Sequence, residues 1–195
     1  MQLDLKGAMG MRFTENRKLA CVVLAVCVLL SIFAFGGGAL ARERGKVLKV
    51  FNEGTDTTLA ARYSMDAYLD SAAEYAQIMA SEASLHLGDS EVSENVAASA
   101  ATLANDAAGL DARYSAYVAL KSDVDKLYNA MKTGVSESDF TDFKLAYDDF
   151  WGQDDLLGRD DYPKYAKAYN GLISGFPGSL VAKLLGQGAL STFGG

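Results

Sequence analysis

The chain has 195 residues, of which 50% are hydrophobic, and it carries a formal net charge of -7. The charge is divided unevenly: residues 1–49 hold eight Lys and Arg against three Asp and Glu, whereas residues 50–195 hold ten against twenty-two. An acidic domain of this kind is repelled by nucleic-acid phosphates, so we expect no nucleic-acid partner. Two Pro and abundant Ala favour helix almost everywhere. We therefore expect an all-α protein with one sizeable core.

A hydrophobic segment near the N-terminus is the first predicted element. No charged residue occurs in residues 19–41. At 1.5 Å per residue, about 20 apolar residues cross the hydrocarbon core, so this stretch is long enough for a membrane-spanning helix. The alternative is a cleavable signal peptide, because basic residues precede the stretch and Ala39-Leu40-Ala41 matches an A-x-A cleavage pattern. We favour a retained anchor, since the run is longer and more apolar than the hydrophobic regions of most signal peptides.

The chain is thereby predicted to have three parts: a basic segment (1–18), a membrane anchor or signal peptide (19–41), and a helical domain (42–195). We expect residues 19–41 to contact membrane lipid. Four Lys and Arg precede the hydrophobic segment and four follow it by residue 49, so the positive-inside count does not decide the orientation. The N-terminal position and the A-x-A pattern favour export. We expect a single-pass protein of the cell membrane with its domain on the extracytoplasmic side. Both cysteines, Cys21 and Cys27, lie inside the hydrophobic segment.

Apolar residues at intervals of three and four predict an elongated antiparallel bundle of about four helices after the anchor. The expected helices cover residues 59–86, about 90–132, 136 to beyond 151, and about 161–174. The predicted N-caps are Asp56 or Thr57, then Ser90 or Ser93, then Ser136. The stretch Gly175-Phe176-Pro177-Gly178 is expected to stop the last helix. The tail from Gly186 onward either packs back on the bundle or lies along the membrane.

The end of the last helix carries a resemblance. Residues 169–182 read YNGLISGFPGSLVA, which resembles the C-terminal signature of the LemA family, where a Tyr-Asn helix is followed by an Ile and a Phe-Pro turn. The hydrophobic segment leading into long helices is also similar to that family. The resemblance implies a membrane-anchored bundle of long helices in a bacterial family with no established enzymatic activity. The motif positions are Tyr169, Asn170, Ile173, Phe176, Pro177 and Ala182.

The motif also has a physical interpretation. Tyr169 and Ile173 are four residues apart and share a helix face, Phe176 follows on the turn, and Pro177 prevents the helix from continuing. Asn170 can hydrogen-bond nearby backbone groups. We therefore interpret the motif as a helix stop packed on the core rather than as a ligand site.

Residues for catalysis are scarce in the domain. His86 is the single histidine of the chain, and no cysteine follows residue 27, so His/Cys metal sites and Cys-His or Ser-His-Asp systems have few residues to draw on. We expect no enzyme and no cofactor. His86 is interpreted as a charge partner at a helix C-terminus or as an exposed residue.

Carboxylates are the remaining chemical candidates. Exported proteins meet millimolar Ca²⁺, so an oxygen-rich segment could bind a divalent cation, although the spacing here does not match an EF-hand loop. The weak metal candidates are Asp154, Asp155, Asp160 and Asp161, in an acidic stretch that begins at Asp148 and Asp149. A solvated surface is the plainer interpretation. Of the functions that the carboxylates could serve, hydrolase chemistry is the one we expect least.

Aromatic residues suggest a contact surface. Most of the ten Tyr lie at helical spacing among aliphatic residues, which favours core packing with the hydroxyl at the edge. The acidic stretch after Trp151 is expected to form a loop, and Trp151, which borders it, is a candidate for a contact surface. We therefore expect a non-catalytic, membrane-tethered bundle that acts through a protein or cell-envelope partner, with a cation- or small-ligand-binding module at residues 148–161 as the alternative.

Overall fold

The computed structural model describes residues 17–55, 64–88 and 90–193, and these ranges are helical with no strand. The helices are α1 (Arg17–Ser31), α2 (Gly37–Glu53), α3 (Met65–Leu87), α4 (Glu91–Leu103), α5 (Leu110–Gly134), α6 (Glu137–Arg159), α7 (Tyr162–Ser174) and α8 (Gly178–Leu184). The expected all-α bundle is thereby confirmed.

The N-terminal segment forms one long helix. The π-helical turn Ile32–Gly36 joins α1 to α2 without leaving the helix. The stretch Leu19–Glu53, 35 residues, is long and apolar enough to cross a membrane, and none of its most apolar window is buried against the rest of the protein. Further along, α2 buries Leu40, Val47 and Phe51 in the domain core. The expected domain boundary at residue 41 therefore falls inside a helix rather than in a linker.

Helices α3 to α6 form the bundle. Small side chains of α3 at intervals of three and four are fully buried, so neighbouring helices approach closely. Helices α5 and α6 are antiparallel: the Tyr147 hydroxyl donates to Asp125 and the Tyr117 hydroxyl donates to Asp154. The buried residues on the inner face of α3 include Leu69, Ala72, Ala76, Met79 and Ala83.

The prediction of a single helix over residues 90–132 is wrong. The chain leaves α4 at Leu103 and forms a short 3₁₀ turn, Asp106–Ala108, before α5 begins. The Asn105 side chain accepts a hydrogen bond from the Ala107 N–H at 3.0 Å. Gly109 has φ 77°, a left-handed conformation that glycine adopts without steric cost. Since the apolar spacing resumes after the turn, periodicity alone did not reveal the break.

The predicted helix starts are largely confirmed. Ser90 caps α4, with Ser93 completing a capping box, and Ser136 caps α6. Ser64 caps α3, accepting from the Ala67 N–H at 3.2 Å. The expected caps Asp56 and Thr57 lie outside the described residues. The helix predicted from residue 59 begins at Met65, because Ser64 is extended, so that predicted start is wrong.

The C-terminal part packs back onto the bundle and α2. Tyr162, at the start of α7, meets Phe51 of α2 with ring centroids 5.0 Å apart. Leu190 and Phe193 of the tail are buried, and the Phe193 ring lies 5.3 Å from that of Tyr114 on α5. Of the two alternatives for the tail, the structure therefore shows packing on the bundle.

Candidate functional site

The acidic stretch lies mostly on a helix. Because α6 continues to Arg159, Asp154 and Asp155 are helical residues, and the expectation of an acidic loop at these two positions is wrong. In the part of the chain that the structure describes, none of Asp154, Asp155, Asp160 and Asp161 belongs to a group of three acidic side chains whose oxygens converge.

Each carboxylate of the stretch also has its own local environment. Asp154 pairs with Lys121 at 2.8 Å, and Asp155 pairs with Arg159 one turn later on α6. Asp160 accepts from the Tyr162 N–H at 2.7 Å. Asp148 pairs with Lys144, Asp149 is exposed on α6, and Asp161 precedes α7. This arrangement offers the proposed cation site no support.

A different group of carboxylates does converge. Among the described residues, one acidic trio, Asp66, Asp70 and Asp106, has oxygens within 4.8 Å of one another. The guanidinium of Arg113 lies between them: Nη1 is 2.6 Å from Asp66 and 3.1 Å from Asp106, and Nη2 is 3.2 Å from Asp70. The cation that this trio holds is therefore a side chain of the protein itself.

Arg113 ties the end of the bundle together. Its side chain is 3% exposed, and its Nε donates to the Leu103 carbonyl at the end of α4 at 2.7 Å. Its guanidinium also lies 5.7 Å from the centroid of the Phe51 ring on α2. One side chain thus links α2, α3, α4 and α5 at the point where the N-terminal helix meets the bundle. Desolvation raises the pKa of Asp70, and the charge of Asp66 adds to this, while Arg113 opposes it.

Arg113 was not predicted from the sequence as a functional or structural site. A usable signal was present, because Arg113 follows Leu110 by three residues and precedes Tyr117 by four, which places it on the apolar face of α5. A cation on such a face has to be paired when it is buried. Its partners could not be identified from spacing, since Asp66 and Asp70 come from a different helix.

An open groove of about 750 Å³ lies between α5 and α6. Lys121 lies over two aromatic rings, with Nζ 5.4 Å from the centroids of both Tyr117 and Trp151. Its ammonium group is paired with Asp154, and Val118 is 51% exposed at the edge. The groove is lined by Tyr114, Tyr117, Val118, Lys121, Ser122, Asp125, Trp151, Asp154 and Gly158.

The chemistry of this groove suits binding better than proton transfer. Burial raises the pKa of Tyr117 well above its ordinary value, and its hydrogen bond to Asp154 adds to the shift, so its hydroxyl keeps its proton at neutral pH. The charge of Lys121 is balanced by Asp154. His86, on α3, is remote from this groove: its Nδ1 lies 3.7 Å from Asp139 Oδ2, and Asp139 is in the first turn of α6, whereas Asp154 is near the other end of that helix. Tyr and Trp side chains are enriched at protein contact surfaces, and this groove contains Tyr114, Tyr117 and Trp151.

Trp151 lies in the groove wall, as the sequence hypothesis of a contact surface requires. It packs edge-on against Phe150, with ring centroids 5.5 Å apart. Lys121 and Val118, which complete the groove, come from α5 and were not predicted. An exposed valine and a lysine on a polar helix face give no distinctive pattern in one sequence.

The motif at residues 169–182 forms the contact between α7 and the tail. Tyr169 and Ala182 are buried, and Ile173 packs at the edge of the core. Asn170 holds the Leu190 backbone, 20 residues further on, rather than a neighbouring backbone group. Phe176 departs from the expected packing: it is 80% exposed on the turn before α8, next to exposed Pro177. The expectation that this residue packs on the core is wrong.

Comparison with known proteins adds no relative: no family model, no curated protein and no solved structure matches the chain.

Proposed function

We propose that this chain is a membrane-anchored, non-enzymatic helical-bundle protein of the LemA type that presents the groove between α5 and α6 to a protein partner. The observation that carries the proposal is the N-terminal helix. Its apolar side chains are exposed, with Leu24 65% and Leu30 62% exposed, whereas the same helix is packed into the domain after Gly36. A helix of this kind requires lipid around its first part.

The packing of α2 supports a retained anchor over a cleaved signal peptide. The A-x-A pattern lies within α2, and Leu40 in its middle is buried against the domain. Cleavage after Ala41 would remove that contact from the mature protein. Burying a leucine side chain contributes about 1.5–3 kcal/mol, so the folded domain favours keeping this part of the helix.

The charge of the domain supports a basic partner and argues against nucleic acid. Residues 50–195 carry twelve more acidic than basic residues, so a positively charged protein surface is attracted and phosphate is repelled. Besides this electrostatic attraction, the groove offers apolar and aromatic contact area to a partner. An extracytoplasmic location remains part of the proposal, supported by the N-terminal position of the anchor.

A site-specific photocrosslinker tests the groove. We would place it at Ser122, an exposed residue of the groove, in the full chain in native membranes. The proposal predicts a discrete protein adduct that Val118→Lys removes, since this change adds bulk and repels a basic partner. The matched control is Ile78→Lys on α3, where the side chain is 43% exposed but outside the groove.

The same two variants also show which result would contradict the proposed role of the groove. An adduct that survives Val118→Lys, or that is lost equally with Ile78→Lys, would show that the groove does not select the partner. Rising salt is expected to lower the adduct yield, because exposed charges are screened over about 8–10 Å at physiological ionic strength.

A further inference from the structure

The turn between α7 and α8 exposes large apolar side chains. Phe176 is 80% exposed, Leu184 is 64% exposed and Leu172 is 55% exposed. Leu180 on α8 and Leu185 directly after it add further apolar surface. We call residues 172–185 the apolar corner. Exposed apolar residues are ordinary when scattered singly, but a contiguous group marks a surface that something covers.

The apolar corner lies beside the end of the uncharged segment. A Cβ atom built on Gly36 would lie 3.7 Å from Val181 Cγ2, and one built on Gly37 would lie 3.5 Å from Leu185 Cδ1. These are ordinary packing distances between α8 and the N-terminal helix. About 20 apolar residues cross the hydrocarbon core, so a span that begins near Leu19 ends close to these glycines. The corner is therefore level with the membrane boundary.

A small apolar cleft opens at the same level. It has a volume of about 180 Å³ and lies between the start of α2 and the apolar corner. Glu43 is its one charged lining residue among those described, and it pairs with Lys46 at 2.7 Å. The cleft is lined otherwise by Ile32, Gly36, Ala39, Leu40, Leu172, Pro177, Gly178 and Val181. Such a lining suits an acyl chain better than water.

The charges around the corner differ from those of the rest of the domain. Lys183 on α8 is exposed within the apolar corner, and residues 172–185 contain no acidic side chain. An exposed basic residue is attracted to an anionic membrane surface. The remainder of the domain is acidic and is repelled by the same surface. The corner is thus the part of the domain whose composition fits the lipid headgroup region.

We propose that the apolar corner inserts into the lipid-water interface beside the anchor, with Phe176 at its tip. This inference rests on the proposed membrane anchor. Interfacial elements of this kind bury their apolar face about 5–10 Å into the headgroup and acyl boundary. The corner then gives the domain a second membrane contact besides the anchor and holds the bundle at a defined angle to the membrane.

Fluorescence quenching tests the insertion. The probe is Phe176→Trp in the full chain with Trp151→Phe, so that one indole reports on the corner. The protein is reconstituted in phosphatidylcholine and phosphatidylglycerol vesicles whose acyl chains are brominated close to the headgroup. The control is Leu85→Trp in the same background, because Leu85 is 77% exposed near the end of α3, about 30 Å along that helix from the end that meets α2. Vesicle flotation is measured on both samples.

The expected result is that both proteins float with the vesicles, while the indole of the Phe176→Trp variant is blue-shifted and quenched several-fold more than that of the Leu85→Trp control. Flotation with an unquenched, water-exposed indole in the Phe176→Trp variant would overturn the insertion and leave the anchor standing. A blue shift without quenching that disappears on dilution into more vesicles would show that a second copy covers the corner, and would also overturn it. Failure to float would overturn the anchor and the insertion together.

Discussion

Asn170 holds Leu190 by both polar groups of its backbone. The side-chain amide donates to the Leu190 carbonyl and accepts from the Leu190 N–H, each at 2.8 Å. A neighbouring β-strand would satisfy the N–H and the carbonyl of Leu190 in the same way. Here the side chain of a helical residue satisfies both groups of an irregular tail. It positions Phe193 in the aromatic cluster with Phe51 and Tyr162. The polar residue of the Tyr-Asn motif therefore has a structural role in attaching the tail.

Removing that amide should release the tail. Asn170→Ala leaves the Leu190 N–H and carbonyl without their partner, and two hydrogen bonds contribute about 2 kcal/mol, or roughly thirty-fold in the opening equilibrium. Hydrogen exchange at the Leu190 amide is expected to accelerate accordingly. Asn129→Ala is the matched control, because the Asn129 amide bonds to the Asp125 carbonyl of its own helix. Equal exchange rates at Leu190 in the two variants would contradict this role.

Arg113 is expected to contribute more to stability than any exposed ion pair in the bundle. Arg113→Met keeps much of the side-chain volume but leaves Asp66 and the Leu103 carbonyl without their donor. We expect a loss of about 2–3 kcal/mol, less than for a fully buried pair because Asp70 and Asp106 reach solvent. For a chain of this size that corresponds to a fall in melting temperature of roughly 4–12 °C.

The control for Arg113 is Arg159→Met. Arg159 pairs with Asp155 on an exposed helix face, a pair expected to contribute about 0.3–0.5 kcal/mol. Both variants are compared by thermal unfolding of the full chain in the same detergent. Comparable melting temperatures for the two would mean that the Arg113 cluster does not stabilise the junction.

Gly178 should not tolerate a side chain. A Cβ atom at this position would lie 1.9 Å from the Leu172 backbone carbonyl oxygen, so the backbone of the α7–α8 turn has to move. Gly178→Ala is expected to cost about 1–3 kcal/mol. Gly175→Ala, in the same turn, meets nothing within 4 Å and is expected to remain within about 0.5 kcal/mol of the parent. Limited proteolysis of the turn and thermal melting distinguish them, and indistinguishable behaviour would refute the steric argument.

Two buried tyrosines predict a loss of stability at alkaline pH. Burial raises the pKa of both Tyr117 and Tyr162 in the folded protein. Above about pH 10 an unfolded tyrosine loses its proton while the folded one keeps it, so the unfolded state is favoured as pH rises. The stability contribution is present below that pH and is lost above it.

The measurement is the free energy of unfolding between about pH 9 and 11. The double variant Tyr117→Phe with Tyr162→Phe should show a shallower decline than the parent, whatever its stability at neutral pH. Tyr165→Phe, a change at an exposed position, serves as control and should leave the slope unchanged. A decline in the double variant as steep as that of the parent would assign the alkaline loss to other groups.

The sequence predicted the helices better than their contacts. Spacing of apolar residues located α3, α6 and α7, and capping residues located the starts of α4 and α6, because both signals are local. The break at residues 104–109 was missed because the apolar pattern resumes beyond Gly109. The helical course of Asp154 and Asp155 was missed because a run of acidic residues is compatible with both helix and loop.

The long-range pairs could not be predicted in the same way. Arg113 meets Asp66 across 47 positions, and Asn170 meets Leu190 across 20. Neither separation corresponds to a helical or strand period, so one sequence carries no signal for the pairing. The exposure of Phe176 was missed for a related reason, because an aromatic residue at a helix stop is ordinarily assigned to the core.

The N-terminal helix is proposed to remain attached and to hold the bundle at a membrane. Intact mass of the expressed full-length chain, combined with alkaline extraction and protease treatment of whole cells, tests this proposal. We expect an uncleaved chain that resists extraction and whose bundle is digested from outside. A soluble product that begins near Arg42 would contradict it by showing a cleaved signal peptide, and an uncleaved but protected chain would contradict the proposed orientation.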